Sequence, residues 1–565
     1  MKALDNLKNR VLAATDVVKL NFPVADVVEK IEADADVLLG RITKDNFIKI
    51  PFVGDFSSGK SSLLNAYIGS DLLPTNILPE TAVAYELYYA EDEKLELYSD
   101  GVLKETKNSL SQIKDFNVSP GDVVYVYINN EKIRSLNSRG IVLVDMPGID
   151  SGIEAHNSAI LNYIREGSVF MIFTDTEQAT LRTSTISFIR EIQQYGLSIN
   201  VFLSKADKKP ETEVQEIRAS VEKVVKSLMS DDSVVGVTSS VEEKYGYKDV
   251  EAVLSKVDAE KIFAERYTGE VDAFISSVIA QFEMQIKLIT SNAKDFDSLI
   301  EQLTKKKTEA ISSLEGKASQ AQSLEGSADD ILQDIRSALM GASQRLAMVA
   351  FSSKGDGKAF ESELMSIIRP VLINSFKREM TEYQEVIGES MKDLSADLSS
   401  VISVSSTQGE SLAKDVLEKL GGGNMVESLL QKGLSMLLAK FAGKKALTLL
   451  VGALSPIITI VVSFLPDLIS LIFGKSNEQK TAEVRDKIES QVIGRVIDGL
   501  RPNVEQMLME NRQEAYNEIK AEIENTIEQI DENIKSVMDE KLSSEAEISE
   551  RVNKLALAVE ELKKI

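Results

Sequence analysis

One stretch constrains this chain more than any other. Gly54-Asp55-Phe56-Ser57-Ser58-Gly59-Lys60-Ser61 fits the phosphate-loop pattern G-x-x-x-x-G-K-[ST] without a mismatch. The apolar run Phe47–Val53 precedes it and reads as a buried strand; Ser62–Ile68 follows and reads as a helix. That strand–loop–helix setting turns an eight-letter pattern into a structural expectation. Glycines let the backbone curl so that successive N–H groups, those of Gly54, Asp55, Ser57, Ser58, Gly59 and Ser62 among them, face phosphate oxygens, and the helix N-terminus adds a favourable dipole. Lys60 is placed to reach the β- and γ-phosphates, and the Ser61 hydroxyl to sit on Mg²⁺.

A chain of 565 residues is too long for one core, so two or three domains are expected. From Phe47 to about Val250 short apolar runs (Ile141–Val144, Val169–Phe173, Ile199–Leu203, Val234–Val237) alternate with helical stretches, which implies a mostly parallel sheet covered on both faces. Leu95–Tyr98 and Val102–Lys104 flank Ser99-Asp100-Gly101 as a hairpin. Before this region, residues 1–45 read as two amphipathic helices separated at Pro23, with Leu4, Leu7, Val11, Ala14 and Val18 on one face. After it, strand-like runs fade and long helices take over. Ile519, Ile523, Ile527, Ile530, Ile534 and Val537 form one heptad seam; Ile548, Val552, Leu555, Val559 and Leu562 form a second. Antiparallel packing within one long bundle is the favoured reading of both seams over an intermolecular coiled coil. Gly421-Gly422-Gly423-Asn424 is a candidate hinge. The division is therefore 1–45, 46–255 and 256–565.

Composition excludes several chemistries. No cysteine is present, so disulfides, thiolate metal sites and cysteine nucleophiles are out, and the single histidine, His156, reads as an ordinary loop residue. A net charge of −25 argues against nucleic acid as a partner. Met1–Leu20 is charged throughout and shows no secretory signal, which points to a cytoplasmic or peripheral-membrane location, with export by a signal-less route left open.

Two later motifs extend the nucleotide reading. Asp145-Met146-Pro147-Gly148 directly follows the Ile141–Val144 run: Asp145 is positioned for Mg²⁺ and the Gly148 N–H for a γ-phosphate. Ser204-Lys205-Ala206-Asp207 follows the run ending at Leu203 and fits the guanine-reading pattern [NT]-K-x-D except at Ser204. In that pattern the Asp accepts from the guanine N1 and N2 hydrogens while the Lys stem covers the ring; adenine offers no such donor pair. Thr238-Ser239-Ser240, with Ser239 central, sits where a loop closing over the base belongs. Thr81 is the first candidate to complete the Mg²⁺ shell and Thr75 the second; spacing does not choose between them.

In order and in form these motifs, together with Leu73–Ala82, resemble the bacterial dynamin-like proteins, most of all the LeoA type. The resemblance covers the nucleotide domain by motif and the rest by layout. It implies a P-loop α/β GTPase domain on a long all-α neck and stalk bundle, with residues 1–45 returning to pack with the C-terminal helices. It further implies GTP hydrolysis to GDP, self-association through the nucleotide face, binding and remodelling of a lipid membrane, and a second dynamin-like protein as a further candidate partner. Ser57, Lys60 and Thr81 become the catalytic set, with Ser57 helping to hold a monovalent cation (K⁺ or Na⁺). Phe56 stands where eukaryotic dynamins usually carry Gln, which leaves water orientation to backbone groups.

Ala446–Pro466 is 21 residues without a charge, resuming after Asp467 as Leu468–Phe473. Pro456 and Gly452 break it, so two short helices dipping into one leaflet suit it better than a span. Residues 431–480 hold six lysines against two acids, a local net charge of +4 in an acidic chain. Leu449, Leu450, Ile457, Ile458, Val461, Val462 and Phe464 are the expected membrane-tip contacts. A buried bundle core or oligomer contact, in a soluble GTP-switched scaffold, is the competing reading, and a true transmembrane span the third.

Overall fold

The computed structural model describes residues 2–75, 83–99, 101–119, 121–149, 163, 169–178, 180–229, 235–290, 296–321, 324–352, 357–404, 477–540 and 545–565. Thr81, His156, Gly421–Asn424 and the whole apolar segment 446–473 lie outside the described residues.

The chain opens with α1 (Lys2–Asn21) and α2 (Ala25–Lys44), broken at Pro23 because proline cannot donate to a preceding turn. A nine-stranded sheet follows: β1 (Ile48–Gly54), β2 (Ala84–Tyr89), β3 (Lys94–Ser99), β4 (Val102–Lys107), β5 (Val123–Ile128), β6 (Ile141–Asp145), β7 (Val169–Asp175), β8 (Ser198–Ser204) and β9 (Val235–Val237), in the order β4-β3-β5-β2-β6-β1-β7-β8-β9. From β6 to β9 all pairings are parallel. The helices α3 (Lys60–Ile68), α4 (Glu131–Ser138), α5 (Thr183–Gln194), α6 (Glu211–Leu228) and α7 (Lys248–Lys256) accompany it.

Alternate residues of the central strands enter different cores, as strand geometry requires. Ile50, Phe52, Leu143, Met171 and Phe173 pack on one face; Val53, Val142, Val144, Phe170 and Ile172 pack on the other. Both faces are dry, and a buried side chain of this kind stabilises by about 1.5–3 kcal/mol. The second face is covered by α5 and α6. The first is continuous with α1, α2, α7, α8 (Ala259–Ile289) and α15 (Glu545–Leu562). Arg10 at the chain's beginning donates to the Ile565 carbonyl at 2.8 Å and pairs with Asp272 at 2.7 Å.

The sheet departs from the simple expectation at one edge. β2 and β5 were not among the runs singled out from sequence, and β2 joins β6 antiparallel while pairing β5 parallel. The hairpin of β3 and β4 is where its turn signal puts it, built onto β5. Tyr85, Tyr88, Tyr125 and Tyr127 fill β2 and β5, so polar atoms mask runs that are otherwise apolar.

The described residues that remain are helical: α9 (Phe296–Ala321), α10 (Leu324–Gly341), α11 (Ser343–Ser352), α12 (Gly357–Val404), α13 (Asn477–Lys487), a π turn at Ile488–Val492, and α14 (Ile493–Glu540). The first heptad seam is buried within the chain: Ile519, Ile523, Ile527, Ile530 and Ile534 pack with Leu303, Leu314, Leu339 and Phe376. The second seam, Val552 to Leu562, packs in the core shared with α8. A buried amide ladder fixes the register of α8 on α14: Gln285 Nε2 donates to Asn533 Oδ1 at 2.6 Å, Asn533 Nδ2 to Gln281 Oε1 at 2.8 Å, and Gln281 Nε2 to Gln529 Oε1 at 2.6 Å.

Candidate nucleotide site

β1 ends at Gly54, and the chain turns through two left-handed residues, Ser57 (φ 63°) and Gly59 (φ 86°), before α3 begins at Lys60. Gly54 is obligatory here because a Cβ would fall 2.2 Å from the Phe173 carbonyl oxygen of β7. Lys60 is buried, and its Nζ reaches back across the loop to the carbonyls of Gly54 and Asp55, both at 3.0 Å. The ammonium is thereby held at the centre of the loop. Asp55 is fully buried; its Oδ1 accepts from Thr185 Oγ1 at 3.1 Å and its Oδ2 faces Arg182 Nε at 3.4 Å. The first turn of α5 thus holds the phosphate loop from behind, a support that motif reading did not reveal.

Asp145 closes β6 beside the loop, and Ser61 Oγ donates to its Oδ2 at 2.5 Å. The other oxygen, Oδ1, is buried without a hydrogen-bond partner. Burial pushes this carboxyl up to about 6, against the Ser61 hydroxyl and the Lys60 charge, which pull it down. An orphaned carboxylate oxygen next to a serine hydroxyl at the N-terminus of a phosphate-loop helix fits a hard divalent cation with oxygen ligands. Gly148 is packed so closely that a Cβ would lie 2.8 Å from the Phe56 nitrogen. The D-x-P-G loop and the phosphate loop therefore touch through backbone. A cavity of about 280 Å³ opens here, lined by Ser57, Lys60, Ser61, Asp145, Gly148 and Thr75. Of the two threonine candidates Thr75 reaches this cavity; Thr81 lies outside the described residues.

A second pocket, of about 150 Å³, adjoins the first and shares Gly59, Ser62 and Lys205 with it. Asp207 and Ser239 line it, with Ser239 Oγ donating to Asp207 Oδ1 at 2.8 Å. Lys205 takes a left-handed backbone (φ 54°), and its Nζ is steadied by Asp175 Oδ2 at 3.1 Å. Its stem runs beside Gly59, between the two pockets. Ser204, the motif's odd residue, is buried; its hydroxyl donates to the Ser58 carbonyl of the phosphate loop and to Thr174 O at 3.2 Å. It ties β8 to the loop, a task its hydroxyl performs without the longer side chain usual at that place. Asp175 and Thr185 are the site residues that pattern reading missed. The polar triplet Thr174-Asp175-Thr176 ending an otherwise apolar strand was the visible signal for Asp175; Thr185 had none.

Among the described residues no helix is long and apolar enough to cross a membrane, and no cluster of three or more acidic or histidine side chains forms a metal cage.

Residues 50–206 match the dynamin family. Dynamin-like protein A of Bacillus subtilis is 24% identical over 192 residues, 32% of this chain and 15% of that one. The bacterial dynamin-like protein of Nostoc punctiforme is 24% identical over 236 residues, 35% of this chain and 33% of that one. The chain spans half or less of the length of these relatives. Among solved structures, the LeoA bacterial dynamin GTPase from ETEC aligns over 93% of this chain and 98% of its own, at 13% identity and a TM-score of 0.28.

Proposed function

We propose, for a chain that belongs to the dynamin family through its nucleotide domain, a large GTPase that hydrolyses GTP to GDP and couples turnover to self-assembly and to binding and remodelling of a membrane. One observation carries the reading: the phosphate cavity and the Asp207 pocket are joined through Gly59, Ser62 and Lys205, so that one nucleotide can lie with its phosphates on the loop and its base against a carboxylate.

The chemistry asks for positioning and charge rather than a covalent catalyst. The loop N–H groups and Lys60 orient the β- and γ-phosphates and draw off charge as the terminal P–O bond breaks. Ser61 and Asp145, with Thr75 or Thr81, would hold Mg²⁺, which when bound neutralises the phosphate oxygens. The Gly148 N–H faces the terminal phosphoryl group, and the backbone it shares with Phe56 fixes where an attacking water can stand. Ser57, turned outward in a left-handed conformation, is the loop residue available to a monovalent cation (K⁺ or Na⁺). Asp207 accepts from guanine N1–H and N2–H₂, while Ser239 keeps the carboxylate oriented. The nucleotide face, with Phe56 exposed beside it, is the surface for self-association, and a second dynamin-like protein is a candidate to share it. The segment 446–473 is the membrane tip. The domain limits that go with this assignment are 46–255 for the GTPase and 256–565, with 1–45, for neck and stalk.

GTP turnover measured with and without anionic vesicles tests the coupling. Stimulation by vesicles is expected. Turnover indifferent to lipid, with protein that never co-sediments, would favour a soluble GTP-switched scaffold.

A further inference from the structure

α5 carries the nucleotide domain onto the helical domain, and its contact is built from charge. Arg369 of α12 makes a bidentate pair with Glu191, both bonds 2.8 Å and both residues buried. One turn earlier, Ser187 donates to Glu363, and Arg345 of α11 pairs with the same Glu363. Each glutamate of the junction is therefore matched by an arginine. Arg190 is not. Among the described residues it forms no ion pair, and its guanidinium faces Arg345 from the opposite domain across a cavity of about 400 Å³ that Gln193, Gln194 and Ser366 also line. Among the described residues of this contact, three arginines face two glutamates, one positive charge in excess inside a chain of net charge −25. Burial and the neighbouring Arg345 charge lower the Arg190 proton affinity, and the Glu363 carboxylate opposes them in part.

We infer that this interdomain cavity binds a phosphate-type anion, held between Arg190 of the nucleotide domain and Arg345 of the helical domain. Guanidinium forks match phosphate oxygens two at a time, and paired forks from opposite walls would clamp one phosphoryl group. The side-chain amides of Gln193 and Gln194 supply further donors. Binding removes a like-charge repulsion across the junction, so the anion stabilises the docked arrangement of the two domains. The same chemistry is offered by free phosphate and by a phosphomonoester lipid headgroup.

The test is thermal unfolding of the full chain in inorganic phosphate against chloride at matched ionic strength, for wild type, Arg190→Gln, Arg190→Glu and Lys60→Ala. Wild type should melt at a temperature that rises and saturates with phosphate. Arg190→Gln should weaken the phosphate response by about tenfold or more, the loss of one charge-assisted contact. Arg190→Glu brings its own anion to Arg345: it should melt above wild type without phosphate and ignore added phosphate. Lys60→Ala should keep the part of the phosphate response that Arg190→Gln removes, which separates this cavity from the phosphate loop. Flotation with phosphatidic acid vesicles against phosphatidylcholine distinguishes the source: dependence on Arg190 assigns the headgroup, independence with a saturable phosphate response assigns the free anion. A wild type insensitive to phosphate overturns the inference. So does a response that Lys60→Ala abolishes and Arg190→Gln leaves intact.

Discussion

Asp207 and Ser204 show how differently two residues of one motif can work. Asp207 presents its carboxylate to the smaller pocket with one oxygen steadied by Ser239, whereas the Ser204 hydroxyl is spent on bonding the phosphate loop and β7. The proposed base reading thus rests on a single acid. Asp207→Asn replaces an acceptor by a group that also donates, and facing guanine N1–H and N2–H₂ it leaves donors opposed. The preference for GTP over ATP should fall steeply, by up to the roughly 10⁴-fold that sites of this kind supply, when competition binding compares the two nucleotides; an unaltered ratio would place base recognition elsewhere. The phosphate loop, Asp145 and Lys205 were legible in sequence because each motif demands a particular residue at a fixed distance from a strand end. Thr185 and Arg182 behind Asp55 were not, since they belong to a helix 130 residues further on and bond the loop only through the tertiary fold.

At the scale of elements, α5 touches both halves of the molecule. Its first turn holds Asp55, its middle faces the β7–β8 side of the sheet through Phe188 and Ile189, and its last turn carries Glu191 onto α12. Arg369→Met strands Glu191 in a dry junction, and breaking a buried pair in this way costs about 3–5 kcal/mol. Adding Glu191→Gln should recover most of the loss, a coupling that chemical denaturation of the two single variants and the double variant would measure. Equal destabilisation by each change, adding without recovery, would mean the pair contributes packing rather than charge compensation. Heptad spacing told correctly that Ile519–Ile534 is buried, because periodicity survives whatever the partner is. It could not say that α9 and α12 supply the partners, nor that Gln281, Gln285 and Asn533 lie dry between α8 and α14, since buried amides look like surface residues in a sequence. The tyrosine-rich strands β2 and β5 escaped for the same reason: polar atoms on half-buried positions blur the two-residue alternation that marks a strand.

For the whole molecule, the ends of the chain close on each other. α1, α2 and α15 share the core that lies under one face of the sheet, so the helices before the nucleotide domain and those at the far end of the chain form one support beneath it. The lysine-flanked segment 446–473, about 200 residues beyond that domain in sequence, is where contact with lipid is proposed. Each large apolar side chain entering lipid gains about 1.5–3 kcal/mol, and each nearby lysine about 1 kcal/mol at an anionic surface. Ile458→Asp with Val462→Asp sets two carboxylates four residues apart on that segment. Vesicle co-sedimentation should be lost while GTP binding survives; a variant that instead unfolds or loses an oligomer, from a wild type that never meets lipid, would make the segment a core.

The two joined pockets are proposed to hold one guanine nucleotide. Equilibrium titration with GTP and with ATP, of wild type and of Lys60→Ala, addresses it most directly. Wild type should bind GTP tightly and ATP far more weakly, and Lys60→Ala, which removes the cation at the centre of the loop while leaving the helical domain folded, should lose tight GTP binding. Equal affinity for the two nucleotides, or a Lys60→Ala variant that binds GTP as wild type does, would contradict the account.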